Sequence, residues 1–125
     1  MPRHISILFP GQGSQHIGML DNLPTELVES FRGLALQALS FDLIDLIKNG
    51  NEEDLNKTSI TQPAILLTSF IYYKHLKNLT NIKADLMCGH SLGEYSALVA
   101  SNSITLDDAL KLVYQRGLLM ERSLK

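Results

Sequence analysis

Apolar and polar positions divide the chain into two short strands and several helices. The apolar run Ile5 to Phe9 ends at Pro10-Gly11 and predicts a buried strand that leads into a tight loop. A second run, Ala84 to Cys88, predicts another short strand that ends at Gly89. Two strands leave unpaired edges, so the pattern indicates either a parallel sheet completed by further residues or a mainly helical chain.

Apolar residues recur at helical spacing over most of the chain between the two predicted strands. Leu23 to Leu39 predicts one helix, with Pro24 in its first turn. The segment SFDLIDLIKNG predicts a short second helix that stops at Gly50, because glycine is common just after a helix C-terminus. NEEDLN predicts a polar turn or a single helical turn.

Three further helices are predicted in the second half of the chain. SITQPAILLTSFIYYKHLKNL is apolar on most sides and predicts a buried helix, with Thr61 as its cap and Pro63 in its first turn. LGEYSALVAS predicts a helix that begins directly after Ser91. Thr105 and Asp108 match a capping box at the start of the last helix. The apolar face predicted for that helix consists of Leu106, Ala109, Leu110, Leu112 and Val113.

Composition and charge narrow the classes of protein that fit this pattern. The 125 residues are 45% apolar, which suits one small domain or part of a larger one. A net charge of −2 without a basic stripe gives nucleic-acid binding no electrostatic support. The single cysteine, Cys88, excludes an internal disulfide and is expected in the core. Signal-peptide, membrane-span and metal-ligand patterns are not recognisable, so we expect a soluble cytoplasmic protein without membrane contact, metal or cofactor.

The pentapeptide GHSLG, with Ser91 between Gly89 and Gly93, matches the G-x-S-x-G nucleophile elbow. A sharp turn between strand and helix lifts the serine hydroxyl above the sheet, and the glycines allow close backbone approach. The free N–H groups of the following helix favour negative charge at this position. The pattern predicts a nucleophilic Ser91 with the backbone N–H of Leu92 as one oxyanion donor; a plain small-residue turn is the alternative.

A second glycine-rich loop, PGQGSQ, follows the first predicted strand. It lacks the lysine and the spacing of a P-loop, and it does not match G-x-G-x-x-G. Taken alone, it is best interpreted as a plain turn between a strand and a helix. If the first strands of the sheet lie side by side, however, the backbone N–H of Gln12 can supply a second oxyanion donor.

Arg116 lies late in the last predicted helix, where most arginines are solvated and cap the final carbonyl groups. Its neighbour Gly117 is unusual, because a glycine inside a helix costs stability relative to alanine and often marks close packing or a site. The alternative is therefore that Arg116 faces Ser91 and binds a substrate carboxylate through two parallel hydrogen bonds.

The four histidines do not include a convincing base for Ser91. His90 adjoins the serine, but neighbouring side chains on an extended segment point in opposite directions. His4 precedes the first strand, and His75 lies near the end of a helix. Only His16 belongs to a candidate active-site loop. A serine nucleophile needs a base within hydrogen-bond reach, so the sequence leaves this role unfilled.

Four segments taken together resemble one protein family. FPGQGSQ, NKTSITQPAILL, GHSLGEYSALVA and LVYQRGLLM occur in this order and at these separations in malonyl-CoA:acyl-carrier-protein transacylases, and also in acyltransferase domains of polyketide synthases. The resemblance runs from Ile5 to Met120 and is weakest over Leu20 to Leu39. It implies an α/β fold class: the N-terminal portion of an α/β-hydrolase-like acyltransferase domain with a parallel sheet.

The resemblance also implies a role for each matching residue. The family's nucleophile falls on Ser91, and its backbone oxyanion donors fall on Gln12 and Leu92. The arginine that pairs with the malonyl carboxylate falls on Arg116. These roles imply transfer of a malonyl group from malonyl-CoA to acyl carrier protein through a malonyl-serine ester, in fatty-acid biosynthesis.

Two further residues match positions near the family's active site. The glutamine of its TQPA segment falls on Gln62, and His90 matches the residue beside the serine, which contacts substrate and is not the base. The family's catalytic histidine, remaining strands and ferredoxin-like subdomain lie beyond residue 125. Residues 1–125 are therefore expected to be an incomplete N-terminal part of the transferase domain.

Three other functions remain open on the sequence alone. A polyketide-type acyltransferase domain shares all four segments. A serine esterase of the α/β-hydrolase type shares the elbow but accounts for neither GQGSQ nor Arg116. A non-catalytic fragment that docks carrier protein is consistent with the missing base.

Overall fold

A computed structural model describes residues 4–124 of the protein. Within that range a small parallel sheet is combined with helices in an α/β arrangement, as predicted. The elements follow one another as β1 (Ser6–Phe9), α1 (Thr25–Glu29), α2 (Arg32–Leu39), α3 (Leu43–Asn49), α4 (Glu52–Leu55), α5 (Thr58–Leu79), β2 (Leu86–Gly89), α6 (Gly93–Ala100) and α7 (Leu106–Ser123).

The two strands pair in parallel, and the register aligns Leu8 with Cys88 and Phe9 with Gly89. One face of the sheet packs on helices, where Phe9 is buried with residues of α6. The opposite face carries Leu8, Leu86 and Cys88, all of which are exposed. The prediction that Cys88 lies in the core is therefore wrong, because its face of the sheet is not covered by residues 4–124.

Helix α5 is the centre of the helical core. All of its residues from Thr61 to Thr68 are buried, which confirms the prediction of a buried helix. Helix α7 packs along it so closely that a Cβ atom at Gly117 would lie 2.5 Å from the Cα of Ser59. Close packing at Gly117 is thus confirmed. The fully buried side chains of the core include Leu20, Leu43, Ile44, Ile47, Leu55, Leu66, Leu67, Ile71, Leu92 and Leu110.

The prediction of a single helix over Leu23 to Leu39 is wrong. Two helices, α1 and α2, occupy this segment and are separated by Ser30 and Phe31. The Ser30 hydroxyl donates to the carbonyl of Leu27 at 2.5 Å, a local bond that competes with helix continuation. The ring of Phe31 meets Phe70 of α5 edge-on at 5.8 Å. Apolar spacing continues through the break, so periodicity alone does not reveal it.

The start of α5 also differs from the prediction. The helix begins at Thr58, so Thr61 does not cap it and Pro63 lies in its second turn. The Thr61 hydroxyl instead donates to the carbonyl of Leu55 at 2.5 Å and ties α5 to the preceding short helix. This short helix, α4, lies within NEEDLN and confirms the single helical turn, which was one of the two predicted alternatives. Gly50 follows the last residue of α3, as predicted.

Helix α7 begins after Thr105, as predicted, but the capping box does not form. The Thr105 hydroxyl hydrogen-bonds the carboxylate of Asp107 and holds the pKa of Asp107 below its usual value. Leu112 is 48% exposed and does not belong to the buried face, contrary to the prediction. Among the described residues, no helix is both long enough and apolar enough to cross a membrane.

Candidate active site

The turn between β2 and α6 holds Ser91 in a left-handed conformation with φ of 54°. Residues other than glycine, asparagine and aspartate rarely adopt the left-handed backbone region, so the backbone is strained at the serine. The Ser91 side chain is exposed, while the next residue, Leu92, is completely buried. The strand–turn–helix geometry expected of a nucleophile elbow is therefore present.

Glycines bring three backbone segments together beneath this turn. A Cβ atom at Gly89 would collide with the backbone of Gly93, and one at Gly93 would collide with the carbonyl oxygen of Phe9. The end of β1, the end of β2 and the start of α6 are consequently in direct backbone contact. Any larger residue at either glycine would push the elbow away from the sheet.

The PGQGSQ loop lies against the same turn. A Cβ atom at Gly11 would be 2.7 Å from the carbonyl oxygen of His90, so the two loops touch through their backbones. The Ser14 hydroxyl donates to the Gly11 carbonyl at 3.0 Å, and the Gln15 side chain accepts from the N–H of Gly13 at 2.8 Å. These local bonds keep the loop shape without using Gln12.

Two backbone N–H groups at this junction take no part in the hydrogen bonds of the two loops. None of the hydrogen bonds formed among residues 4–124 outside regular helices and strands uses the N–H of Gln12 or that of Leu92. The Leu92 N–H lies at the N-terminus of α6, where the helix dipole is positive. Such groups stabilise an oxyanion when they converge on it.

The Arg116 guanidinium is the charged group closest to the serine hydroxyl. Its Nη2 donates to Ser91 Oγ at 3.3 Å, and its Nη1 donates to Gln62 Oε1 at 2.8 Å. Its Cζ lies 5.6 Å from the ring centroid of Tyr95 on α6. Side chains from α5, α6 and the elbow therefore converge on an arginine of α7, and the alternative of a solvated, helix-capping Arg116 does not describe its contacts.

Gln62 is completely buried, so both ends of its amide need partners. Its oxygen accepts from Arg116, and its nitrogen donates to Met120 Sδ at 3.2 Å. Sequence analysis did not single out Met120 or Tyr95. Helical spacing could have found Met120, which follows Arg116 by four residues on α7. Tyr95 could have been noticed because it lies in the first turn of the helix after the elbow.

None of the histidines within residues 4–124 hydrogen-bonds the Ser91 hydroxyl. His90 is exposed beside Ser91, and His16 Nδ1 lies 3.4 Å from the carbonyl oxygen of Ser14. The hydrogen-bond partner of Ser91 Oγ among residues 4–124 is Arg116, and no histidine in that range bonds it. The described residues thus bring together a serine hydroxyl, two backbone N–H groups and a guanidinium, and none of them accepts a hydrogen bond from the hydroxyl.

A groove of about 480 Å³ opens beside Arg116 along α7. Its lining is mostly apolar and comes from α7: Leu112, Gln115, Arg116, Leu119, Met120 and Ser123. A second, largely apolar cavity of about 430 Å³ lies between β1 and α5, and neither Ser91 nor Arg116 lines it. Within residues 4–124, no three His, Cys, Asp or Glu side chains are grouped closely enough to hold a metal ion.

Comparison with known proteins agrees with this arrangement. The family profile of the acyl transferase domain matches residues 7–124. The malonyl CoA-acyl carrier protein transacylase of Haemophilus influenzae is 46% identical over 125 residues, covering 97% of this chain and 40% of the relative. The transacylase of the same name from Escherichia coli is 42% identical over 120 residues, covering 94% and 39%.

Solved structures of such proteins superimpose closely. The malonyl CoA-acyl carrier protein transacylase of Coxiella burnetii has a TM-score of 0.91 and 41% identity over 97% of this chain and 39% of its own. A malonyl-transacylase in complex with a type II PKS acyl-carrier protein has a TM-score of 0.91 and 43% identity, covering 96% and 40%.

This chain spans about two-fifths of the length of these relatives. Within that span the agreement includes both the sequence and the fold, and the family profile covers nearly every described residue. The serine elbow, with its glycine contacts and facing arginine, lies inside the matched region. The chain therefore belongs to the acyl transferase domain family.

Proposed function

We propose that residues 1–125 are the N-terminal part of the α/β domain of a malonyl-CoA:acyl-carrier-protein transacylase. The complete protein, meaning the longer polypeptide that contains this segment, would transfer malonyl groups from malonyl-CoA to acyl carrier protein. The observation that carries this proposal is the position of Arg116, with Nη2 3.3 Å from the hydroxyl of a serine on a strained elbow. Relatives named for this activity support it.

Ser91 is the proposed nucleophile of a two-step transfer. In the first step its Oγ attacks the thioester carbonyl, a C–O bond forms, the C–S bond breaks, and the coenzyme A thiol leaves with a proton. In the second step the thiol of the carrier protein attacks the malonyl-serine carbonyl, a C–S bond forms, the C–O bond to Ser91 breaks, and the serine oxygen regains a proton. The base that holds this proton is proposed to lie after residue 125, because no histidine of residues 4–124 bonds Ser91.

The backbone N–H groups of Gln12 and Leu92 are the proposed oxyanion donors. Two observations support these roles: Gly11, the residue before Gln12, touches the elbow at His90, and neither N–H group forms a hydrogen bond among the described residues. In each step the thioester or ester carbonyl becomes a tetrahedral oxyanion. Fixed donors stabilise that charge without reorganisation, which lowers the barrier.

Arg116 is the proposed partner of the malonyl carboxylate. A planar guanidinium can bind a carboxylate through two parallel hydrogen bonds, whereas an acetyl group offers no such partner. Gln62, buried behind the arginine, is proposed to hold its orientation during binding. His90, exposed beside Ser91, is proposed to contact the substrate without acting as the base.

The decisive experiment is intact-mass measurement of the complete protein after mixing with malonyl-CoA. The unaltered protein should gain one malonyl group, and Ser91→Ala should gain none while keeping its fold. Ser101→Ala is the matched control, because Ser101 is an exposed serine at the other end of α6. An adduct that persists at full yield in Ser91→Ala would show that the nucleophile lies elsewhere.

A polyketide carrier protein is a second candidate acceptor. One of the similar structures is a malonyl-transacylase bound to a type II PKS acyl-carrier protein. The two acceptors are distinguished by the rates at which the malonyl-enzyme loads purified fatty-acid and polyketide carrier proteins. Both substrates of either reaction are water-soluble, so we propose a cytoplasmic location, which fractionation of cells with an antibody against the protein would test.

A further inference from the structure

We propose that Tyr95 is a positioning residue that sets the malonyl preference of the site by holding the Arg116 guanidinium. This inference rests on the proposed transacylase function. Its basis is the ring of Tyr95, whose centroid lies 5.6 Å from Arg116 Cζ. At this distance a guanidinium is attracted to the face of an aromatic ring. Tyr95 is half-buried and packs against the main core, so the ring itself is held in place.

The contact leaves the arginine free to bind a substrate. A guanidinium has five N–H donors, and Arg116 uses one for Gln62 and one for Ser91. The Tyr95 ring attracts the face of the guanidinium and occupies no donor. All three partners are uncharged, so the positive charge is retained for a carboxylate. An acidic partner in place of the ring would neutralise that charge and compete with malonyl.

The ring also links the cation to the nucleophile. Tyr95 lies in the first turn of α6, and Ser91 lies in the left-handed turn just before that helix begins. The Arg116 guanidinium contacts both residues, so the elbow and the first turn of α6 together set the distance between the serine hydroxyl and the cation. A malonyl group held by Arg116 would then present its thioester carbonyl at a fixed distance from Ser91 Oγ, and such fixed geometry accelerates attack.

The test compares Tyr95→Leu and Tyr95→Phe in the complete protein. Leucine removes the ring face but keeps an apolar side chain of similar size, whereas phenylalanine keeps the ring. For Tyr95→Leu, kcat/KM for malonyl-CoA should fall about 2- to 30-fold, the range that corresponds to one cation–π contact. Transfer from acetyl-CoA should change less than about twofold, because acetyl makes no use of Arg116. Tyr95→Phe should restore the malonyl-to-acetyl ratio.

Phe70→Leu is the matched control. The Phe70 ring lies 5.3 Å from Lys74 Nζ, so this variant removes a ring–cation contact elsewhere in the core. It is expected to lower the melting temperature but to leave the malonyl-to-acetyl ratio unchanged. If Tyr95→Leu melts too low for assay, Tyr95→Met gives the same comparison, because methionine adapts to irregular apolar space.

Equal losses on malonyl-CoA and acetyl-CoA in Tyr95→Leu, or no loss on either, would overturn the role of Tyr95. Different results would overturn the proposed function itself. These are an unaltered protein that forms no malonyl adduct, or an Arg116→Ala variant that keeps the full malonyl preference. If the unaltered protein selects malonyl, Arg116→Ala loses that selectivity and Tyr95→Leu keeps it, then only the inference about Tyr95 is wrong.

Discussion

The Arg116 guanidinium touches an amide, a hydroxyl and an aromatic ring, and it lies half-buried beside the exposed Ser91. A cation held in this way attracts an anionic group to the serine. At the scale of single residues, we therefore expect the chemistry of the site to depend on one side chain from α7 and on the N–H groups near the elbow.

Replacing Arg116 by alanine in the complete protein should remove most activity on malonyl-CoA. Losing one partner of a desolvated charge pair costs about 2–5 kcal/mol, so kcat/KM should fall by one to several orders of magnitude. Activity on acetyl-CoA should fall much less. Arg122→Ala is the control, since Arg122 is an exposed arginine in the last turn of the same helix. Equal losses on the two substrates would mean that Arg116 has a structural role only.

At the scale of elements, the contact between α5 and α7 determines where Arg116 lies. Gly117, the next residue, touches the backbone of α5 at Ser59. The N–H of Ser59 donates to the Glu121 carboxylate at 2.8 Å, so a side chain of α7 also satisfies a free group at the N-terminus of α5. Gln62 lies one turn further along α5 and meets Arg116 there. The two helices are thus aligned by contacts at the arginine itself and at the residues that follow it on α7.

Gly117→Ala should destabilise the protein although alanine favours helices. The gain in helix propensity is about 1 kcal/mol, whereas overpacking typically costs about 1–3 kcal/mol and here involves unyielding backbone. The shift of α7 should also weaken malonyl transfer, since Arg116 moves with it. Thermal melting and malonyl-CoA kinetics of the complete protein measure both effects.

Gly33→Ala in α2 is the control for that substitution. Gly33 is also helical, but no atom lies within 4 Å of a Cβ added there, so alanine should not lower the melting temperature. If Gly117→Ala were as harmless as Gly33→Ala, close packing would not explain why the position is a glycine.

At the scale of the whole molecule, the described residues leave one sheet face exposed and pair no further strand with either outer edge of the sheet. Leu8 is 72% exposed and Leu86 is 58% exposed, although parallel sheets are normally covered on both faces. The cavity of about 430 Å³ between β1 and α5 adds further apolar surface. Such surface favours association or partial unfolding when residues 1–125 are studied alone.

Residues 1–125 alone are therefore expected to transfer malonyl groups poorly. A serine site without its base loses roughly 10⁴- to 10⁶-fold in kcat, which leaves only what binding and the oxyanion donors provide. The isolated segment should also bind a dye that reports exposed apolar surface, and should associate in sedimentation experiments. The complete protein is the control for both measurements.

A monomeric segment with a cooperative melt and near-enzyme turnover would contradict this expectation. It would also require one of the histidines within the segment to act as the base. His16 would then be the first to replace, because it belongs to the loop that lies against the elbow.

The sequence by itself determined the features that depend on neighbours along the chain. The elbow around Ser91 follows from a strand, two glycines and a helix start, and each of these is a local preference. Gly50 ends α3 for the same kind of reason. The parallel pairing could also be predicted, because two short apolar strands separated by helices have few other arrangements.

Only the tertiary structure decided the features that depend on which surfaces meet. The break at Ser30 and Phe31 accompanies the packing of Phe31 on α5, which apolar spacing does not encode. Cys88 is exposed because no described residue covers its face of the sheet, although its apolar neighbours suggested burial. The contact of Tyr95 with Arg116 joins two helices, and it exists because α5, α6 and α7 pack around one guanidinium. Periodicity specifies which side of a helix is apolar, but only packing determines which partner that side meets.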